Sequence, residues 1–193
     1  MSSRGSEARE VFVSYRRVDD EPPPGPPKRR GFVAYLLLQL RWELKQLGVP
    51  DALLWQDRTH IEPGDIWSDA IFKALNNAEL FVAILSCNYI TSDWCKNELC
   101  TMATRVEKLD ADSGQRRIFR VDKNNVPEDS IPEILRRIQA VPFYSESDEE
   151  GGIDEFYWRG RVRRTREYEE AVNKLARAIC KRLKELGVPS EPR

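Results

Sequence analysis

The chain is predicted to fold as an α/β domain of the flavodoxin-like, three-layer kind, with a five-stranded parallel sheet covered by helices on both faces. Short β-prone runs alternate with helical periodicities along its 193 residues, which is typical of parallel sheets built with right-handed crossovers. Apolar residues make up 40% of the chain and charged residues 33%, a composition that suits one folded domain. We place this domain at residues 10–187, between a flexible N-terminus at 1–9 and a tail or linker at 188–193.

The first strand and first helix are separated by a proline-rich loop. Residues 11–15, Val-Phe-Val-Ser-Tyr, form a nearly continuous apolar run of the kind found in strands covered on both faces. The prolines of the insert at 21–30 exclude regular structure there. From Gly31 to Leu47 apolar residues recur at helical spacing, and Gly48 with Pro50 forms a stop signal.

The next two strands enclose a polar turn and a second helix. Residues 53–55 are predicted as a short strand and residues 80–86 as a buried one. Between them, Asp65 is placed to cap a helix whose apolar face begins at Trp67. After a loop at 87–91, Ser92 or Asp93 is expected to cap a further helix, whose buried face carries Trp94, Glu98, Leu99, Met102 and Val106.

The remaining segments complete the alternation. We predict a strand at 117–121, a short helix at 131–138 and an edge strand at 140–144. Pro142 is tolerated in an edge strand because one side of such a strand has no hydrogen-bonded neighbour that needs a backbone N–H. An acidic loop at 145–155 follows. The last helix carries an apolar stripe formed by Tyr168, Val172, Leu175, Ile179, Leu183 and Leu186.

Charge and residue counts exclude several classes of function. The formal net charge is −1, so no strong basic field is available for non-specific nucleic-acid binding. A single histidine, His60, and four cysteines without a Cys-x-x-Cys pair argue against zinc clusters and His-dependent nucleophiles, and no metal site is predicted. No apolar run reaches bilayer length and no signal peptide is visible, so we expect a cytoplasmic protein that does not contact membranes.

For two surface segments, a structural role is favoured over the binding of a ligand. The proline-rich insert has Pro-x-x-Pro spacing, but a loop spacer is favoured over a groove ligand. Arginines of segment 159–166 lie next to the acidic loop, which weakens their field. A solvated helix entry or a docking surface for another domain is therefore favoured over direct nucleic-acid contact.

The carboxyl ends of the strands are the expected place for a ligand, because open parallel sheets bind ligands in the crevice beyond those ends. This rule selects a group of residues after the first strand, a group after the second strand, and the helix that follows the third. The substrate-binding candidates are Ser14, Tyr15, Arg16, Asp57, Arg58 and Trp94. Trp94 and Glu98 are four residues apart, so they share one helix face near its N-terminus.

A lone carboxylate beside an aromatic ring suggests glycosidic-bond cleavage. The dinucleotide and P-loop glycine motifs are absent, so neither redox use of NAD nor P-loop chemistry is indicated. A carboxylate such as Glu98 stabilises a sugar cation. At about 4 Å and an effective dielectric near 20, that attraction is roughly 4 kcal/mol, or about a thousandfold in rate. A leaving group that departs as a neutral molecule from a cationic linkage needs no general acid.

Each of these residues also has an ordinary structural interpretation. Glu98 is placed where acids favour a helix dipole, and Trp94 is suited to simple core packing. Asp57 and Arg58 have the residue types of a turn. The strand-end position favours the functional interpretation for Glu98, and it leaves both interpretations open for Trp94, Asp57 and Arg58.

At several motifs the chain resembles the Toll/interleukin receptor (TIR) domain family, in its bacterial and plant-like branch. The opening strand motif is matched by VFVSYRR at 11–17, and the second strand and its loop by LWQDRTHIEPGDIW at 54–67. The motif Ser-x-Trp-Cys-x-x-Glu-Leu is matched by Ser92, Trp94, Cys95, Glu98 and Leu99. These pieces follow the family order over about residues 10–145, whereas the proline-rich insert departs from a compact TIR domain.

The resemblance implies an enzyme activated by association. It assigns NAD+ cleavage to Glu98, with NAD+ as substrate and no separate cofactor, and the product is ADP-ribose or a cyclic isomer. It assigns pocket gating and self-association to the loop after the second strand, with Glu62, Pro63, Gly64 and Asp65 as assembly residues. A prokaryotic immune effector with a sensor domain or partner protein is the implied role. A non-enzymatic TIR adaptor is the main alternative, and a nucleotide-binding sensor is a third.

Overall fold

The computed structural model of the chain describes residues 9–22, 24, 29–50, 52–56, 67–109, 114–146, 152–158 and 161–187. Within them, a central sheet is formed by β1 (Arg9–Ser14), β2 (Ala52–Trp55), β3 (Leu80–Leu85), β4 (Ile118–Asp122) and β5 (Ala140–Pro142). Every neighbouring pair is parallel, and the spatial order is β2-β1-β3-β4-β5. The predicted five-stranded parallel sheet is confirmed. The strand order reverses direction between β1 and β3, which is the switch point of this fold.

Helices cover both faces of the sheet in the described part of the chain. They are α1 (Phe32–Gln46), α2 (Trp67–Asn77), α3 (Cys87–Ile90), α4 (Asp93–Leu109), α5 (Glu133–Arg136) and α6 (Thr165–Leu186). Helices α1 and α6 pack against each other on one face, and α2 packs against α4 on the other. No described helix combines the length and the apolar character that crossing a bilayer requires.

Alternation along the strands divides the core into two clusters. Val11 and Val13 of β1 point into the cluster beneath α1 and α6, whereas Phe12 points into the cluster beneath α2 and α4. Because both faces are covered, the strand is apolar throughout rather than alternating with polar residues. Phe12 stacks on Trp55 of β2 and Phe81 of β3, with ring centroids 4.7 and 5.7 Å apart. These rings fix the relative positions of three neighbouring strands.

Differences from prediction lie in the short elements. The predicted helix at 131–138 is only the turn α5, the edge strand ends at Pro142, and the expected loop after β3 contains the helical turn α3. The predicted acidic loop at 145–155 contributes to one antiparallel pair, β6 (Tyr144–Glu146) with β7 (Ile153–Glu155). A second antiparallel pair, β8 (Tyr157–Trp158) with β9 (Arg161–Val162), follows the loop. Elements of two to four residues are too short to show a hydrophobic period, so the sequence pattern could not reveal them.

A buried acid joins the ends of three strands. Asp19 lies in the 3-10 turn that follows β1, and only 1% of its side chain is exposed. It accepts hydrogen bonds from Ser86 at 2.5 Å and Asn88 at 2.9 Å, both just after β3, and from the Lys123 ammonium, just after β4, at 3.3 Å. Since a buried charge needs such partners, Asp19 is the group that ties the exit of β1 to the neighbouring strands.

The same turn makes a close contact with the start of α1. Asp20 accepts a hydrogen bond from the backbone N–H of Ala34 at 2.7 Å, in the first turn of the helix. Gly31 lies against this turn so closely that a Cβ there would overlap the Asp20 carbonyl group. A glycine is therefore required at this position by close backbone approach.

We expect Gly31→Ala to lower the free energy of unfolding by at least about 1–3 kcal/mol, because the backbone must move to admit a methyl group. Gly48→Ala is the control: Gly48 has φ of +80° with nothing within 4 Å of a Cβ, so only left-handed strain of about 1 kcal/mol is added. Urea unfolding of both variants measures the difference. Equal stability of Gly31→Ala and wild type would contradict the proposed contact.

Asp19→Asn is expected to cost about 1–3 kcal/mol of unfolding free energy, because charge-assisted hydrogen bonds from Ser86 and Lys123 are lost in a buried place. Lys123 retains some exposure and can recover part of its hydration, which keeps the cost below that of a fully buried pair. Asp93→Asn is the matched control, since Asp93 is 95% exposed beside Lys96, and should change stability little. Equal effects of the two substitutions in chemical unfolding would show that Asp19 has no special role.

Candidate active site

Helix α4 places Glu98 beside the end of β1. The helix begins at Asp93, and Ser92 caps it by accepting a hydrogen bond from the backbone N–H of Cys95 at 3.3 Å. Of the two caps that the sequence suggested, Ser92 is the one that forms this bond. The cap fixes the first turn of α4 near the carboxyl ends of β1 and β3, so Glu98 in the next turn faces the crevice.

Both oxygens of the Glu98 carboxylate accept hydrogen bonds. Ser14, the last residue of β1, donates its hydroxyl to Oε2 at 2.5 Å, and Trp94 donates its indole N–H to Oε1 at 2.7 Å. Glu98 is buried, with 7% of its surface exposed, whereas Trp94 remains 36% exposed at the rim. The predicted sharing of one helix face by Trp94 and Glu98 is therefore observed as a direct contact.

A cavity of about 290 Å³ opens above this carboxylate. Aromatic rings and two arginines form most of its wall together with polar groups from α4; the lining residues are Phe12, Val13, Tyr15, Arg16, Arg17, Trp55, Ser92, Trp94, Cys95 and Glu98. Of the described residues that line it, Glu98 alone is a carboxylic acid. The cavity thus presents an anionic group and flat apolar surfaces at its base, with exposed guanidinium groups at its edge.

Cys95 is not suited to act as a nucleophile in this cavity. Burial raises the pKa of its thiol to about 11, and the nearby Glu98 charge acts in the same direction, against a hydrogen bond with Ser92 and the charge of Arg16. The thiol therefore stays protonated at neutral pH, and a thiolate is the nucleophilic form of cysteine. The chemistry that this arrangement supports is electrostatic, through the Glu98 carboxylate.

Five of the residues selected from the sequence are brought together here: Ser14, Tyr15, Arg16, Trp94 and Glu98. Ser14 is buried and directs its hydroxyl to Glu98, so in this structure it contacts the carboxylate and not the open cavity. Asp57, Arg58, Glu62, Pro63, Gly64 and Asp65 lie outside the described residues, and their roles stay predictions. The substrate and catalytic roles of all these residues likewise stay predictions.

Sequence reasoning did not select six residues of the cavity wall as site residues: Phe12, Val13, Arg17, Trp55, Ser92 and Cys95. Arg17 follows the strand end as Arg16 does, so its position alone could have indicated it. Trp55 ends β2 and Phe12 belongs to the strand interior, and the apolar pattern indicates only core positions for both. Their aromatic faces line the cavity because β1 and β2 lie side by side with Phe12 opposite Trp55, a pairing that follows from strand order and not from local sequence.

Comparison with known proteins identifies the family. The family model described as TIR domain matches residues 30–156, which is more than half of the chain. Helix α4 with Trp94 and Glu98 lies inside this match, whereas β1 with Ser14 precedes it. A comparison with curated proteins finds no significant match.

Solved TIR structures are similar at low identity. The TIR domain of the Toll-related receptor TRR-2 from Hydra magnipapillata is 13% identical, with 69% of this chain and 82% of that chain covered and a TM-score of 0.45. A metazoan TIR-STING receptor from C. gigas, in complex with 2′,3′-cGAMP, is 16% identical over 84% of this chain and 39% of that receptor, with a TM-score of 0.48. The TIR domains of the activated Roq1 resistosome, which recognises the pathogen effector XopQ, are 18% identical over 92% and 99% of the two chains, with a TM-score of 0.44. From the match over residues 30–156, this chain belongs to the TIR domain family.

Proposed function

We propose that this TIR domain is an NAD+ hydrolase that releases nicotinamide, with Glu98 as its catalytic carboxylate. The observation that carries the proposal is the hydrogen bonding of Glu98, whose two carboxylate oxygens are fixed by Ser14 and Trp94 at the base of an aromatic cavity. The cavity lies at the switch point of the sheet, where this class of fold binds ligands. A buried acid in such a place is a candidate for function rather than for packing.

The reaction requires the carboxylate to stabilise a transient sugar cation. The bond between C1′ of the ribose and the nicotinamide nitrogen breaks, and its electron pair remains on the nitrogen, so nicotinamide departs as a neutral molecule. The positive charge that develops on the sugar is attracted by the Glu98 carboxylate. Water then attacks C1′ and releases a proton, giving ADP-ribose. Attack by a nucleophile within the same molecule gives a cyclic isomer instead.

Hydrogen bonds to Glu98 support this role. The donors Ser14 and Trp94 hold the carboxylate in one orientation before substrate arrives, so little reorganisation accompanies charge development. At an effective dielectric near 20, a fixed charge about 4 Å from the sugar contributes roughly 4 kcal/mol.

The cavity wall suits the nicotinamide half of NAD+ and the pyrophosphate next to it. The rings of Trp55 and Trp94 suit stacking against nicotinamide or the face of the ribose, and Tyr15 adds a polar tip. Arg16 and Arg17 at the edge suit the pyrophosphate, because guanidinium groups bind phosphate oxygens in pairs. We assign further ribose or phosphate contacts to Asp57 and Arg58 by their place after β2. A volume of about 290 Å³ holds one end of a dinucleotide, with the remainder extending past the arginines.

Self-association is the second part of the proposal. Glu62, Pro63, Gly64 and Asp65 are assigned to assembly by resemblance to TIR domains, and a pocket completed by a neighbouring copy would gain activity on clustering. We propose that the protein acts in the cytoplasm as a prokaryotic immune effector, with a sensor domain or partner protein that drives this clustering. Among the described residues, no specific contact favours the alternative, an adaptor that only assembles, whereas the buried carboxylate favours the enzyme.

Glu98→Gln is expected to lower nicotinamide release from NAD+ by about two to four orders of magnitude, because it removes the charge that faces the sugar cation while keeping the side chain's volume. Glu107→Gln is the matched control, since Glu107 lies on the exposed face of the same helix, and should leave the rate unchanged. For each variant, separation of the reaction products measures nicotinamide release, and a melting curve checks that the protein folds.

The outcomes separate three accounts of Glu98. A folded Glu98→Gln protein with a rate close to wild type would remove the catalytic assignment. Loss of the fold would make Glu98 structural. Equal loss of rate in Glu107→Gln would mean that the charge of the helix, and not the position of Glu98, matters.

A further inference from the structure

The geometry points to Tyr89 as a positioning residue that acts on Glu98 through the hydroxyl of Ser14, in a buried chain Tyr89–Ser14–Glu98. Its consequence for rate rests on the proposed function, but its structural content does not. Tyr89 belongs to α3 and Ser14 to β1, whereas Glu98 lies on α4. The chain therefore links three elements through two hydroxyl groups.

The Ser14 proton is assigned by distance. The Ser14 oxygen lies 2.5 Å from Glu98 Oε2 and 3.2 Å from the Tyr89 hydroxyl oxygen. A serine hydroxyl has one proton to donate and lone pairs with which to accept. The short contact has the length of a hydroxyl donating to a charged carboxylate, so the proton is directed at Glu98. The contact with Tyr89 is then one in which Ser14 accepts.

Tyr89 is the matching donor. Burial is complete, and it raises the pKa of the phenol well above its ordinary value. The hydrogen bond with Ser14 opposes this shift, and the nearby Glu98 charge adds to it. The phenol therefore keeps its proton. Two acceptors lie within reach, the Ser14 oxygen at 3.2 Å and the Cys95 carbonyl oxygen at 3.4 Å. The nearer of the two completes a chain in which every proton points toward the carboxylate.

The Tyr89 ring is itself held in place. Its backbone N–H donates to the Ser86 side chain at 3.0 Å, and Ser86 donates in turn to the buried Asp19 at 2.5 Å. The ring lies fully buried in the core cluster that α4 also contributes to, through Leu99 and Met102. A donor fixed at both its backbone and its ring has little freedom to turn away from Ser14.

Positioning of Glu98 follows from these contacts. Ser14 is 1% exposed, so it acts on substrate through Glu98. A chain of hydrogen bonds strengthens its members, because each donor polarises the next. With Oε2 held by Ser14 and Oε1 by Trp94, the plane of the carboxylate is set. Without this hydrogen-bond chain, Glu98 retains its charge but loses the Ser14 contact that orients Oε2.

The test uses two pairs of variants. Ser14→Thr and Ser14→Val have side chains of the same shape that differ in the hydroxyl. Tyr89→Phe and Tyr144→Phe each remove a phenol hydroxyl. Tyr144 bonds Asn125 at the exposed surface and is the control for loss of a phenol. The first readout is the indole N–H resonance of Trp94 in nitrogen-15 spectra, assigned by its loss in Trp94→Phe. That N–H donates to Glu98, so it reports the carboxylate's position without requiring turnover.

We expect Ser14→Val and Tyr89→Phe to shift the Trp94 indole resonance and leave the other indole signals in place, while Ser14→Thr and Tyr144→Phe do not shift it. For nicotinamide release, kcat should fall by about 10- to 100-fold in Ser14→Val and by about 3- to 10-fold in Tyr89→Phe, with KM within about twofold. Ser14→Thr should recover most of the rate that Ser14→Val loses. Melting curves check that each variant folds.

Failure of this inference and failure of the proposed function have different signatures. If wild type releases nicotinamide but Thr and Val at position 14 behave alike, or if Tyr89→Phe matches wild type in both readouts, the positioning role is overturned. If wild type releases no nicotinamide, the proposed function fails. The Trp94 resonance alone then decides whether the hydrogen-bond chain Tyr89–Ser14–Glu98 positions Glu98. A change confined to melting temperature would assign Ser14 and Tyr89 to stability only.

Discussion

Burying the Glu98 carboxylate requires hydrogen-bond donors for its oxygens, and the fold supplies them from separate parts of the chain. Ser14 comes from the end of β1 and Trp94 from the preceding turn of α4. Their meeting depends on β1 lying next to β3, since the connection after β3 carries α4 to the same sheet edge. The stacked rings of Phe12, Trp55 and Phe81 hold β1 against its neighbours β2 and β3. The site is thus a consequence of strand order and of core packing.

The nature of the buried group also bears on function. An apolar residue at position 98 would extend the stripe formed by Leu99 and Met102 at no cost in desolvation. A carboxylate there is a costly substitute unless its hydrogen bonds or its charge are used. Burial raises the pKa of the Cys95 thiol to about 11, so this thiol stays protonated and does not act as a nucleophile beside Glu98. What remains in the cavity is the Glu98 carboxylate, together with the exposed residues Arg16 and Arg17 in the wall.

The sequence predicts the sheet and the position of the acid well, because both depend on local patterns. Continuous apolar runs identify strands covered on both faces, and the four-residue spacing of Trp94 and Glu98 is enough to place them on one helix face. The pairing of Ser14 with Glu98 could not be derived this way, since the two are separated by 84 positions. Asp19 was missed for the same reason: its partners Ser86 and Lys123 follow other strands. The short antiparallel pairs β6–β9 depend on contacts such as the Tyr157 ring against Phe32, which no local period encodes.

Cleavage of NAD+ by the concentrated protein tests the central claim most directly. Wild-type chain is incubated with NAD+ over a range of protein concentrations, free and clustered on a multivalent support, and the products are separated. The account predicts one nicotinamide released for each NAD+ consumed, together with ADP-ribose or a cyclic isomer, at a rate per protomer that rises with clustering. Unchanged NAD+ at every concentration and on the support would contradict it and favour a TIR adaptor.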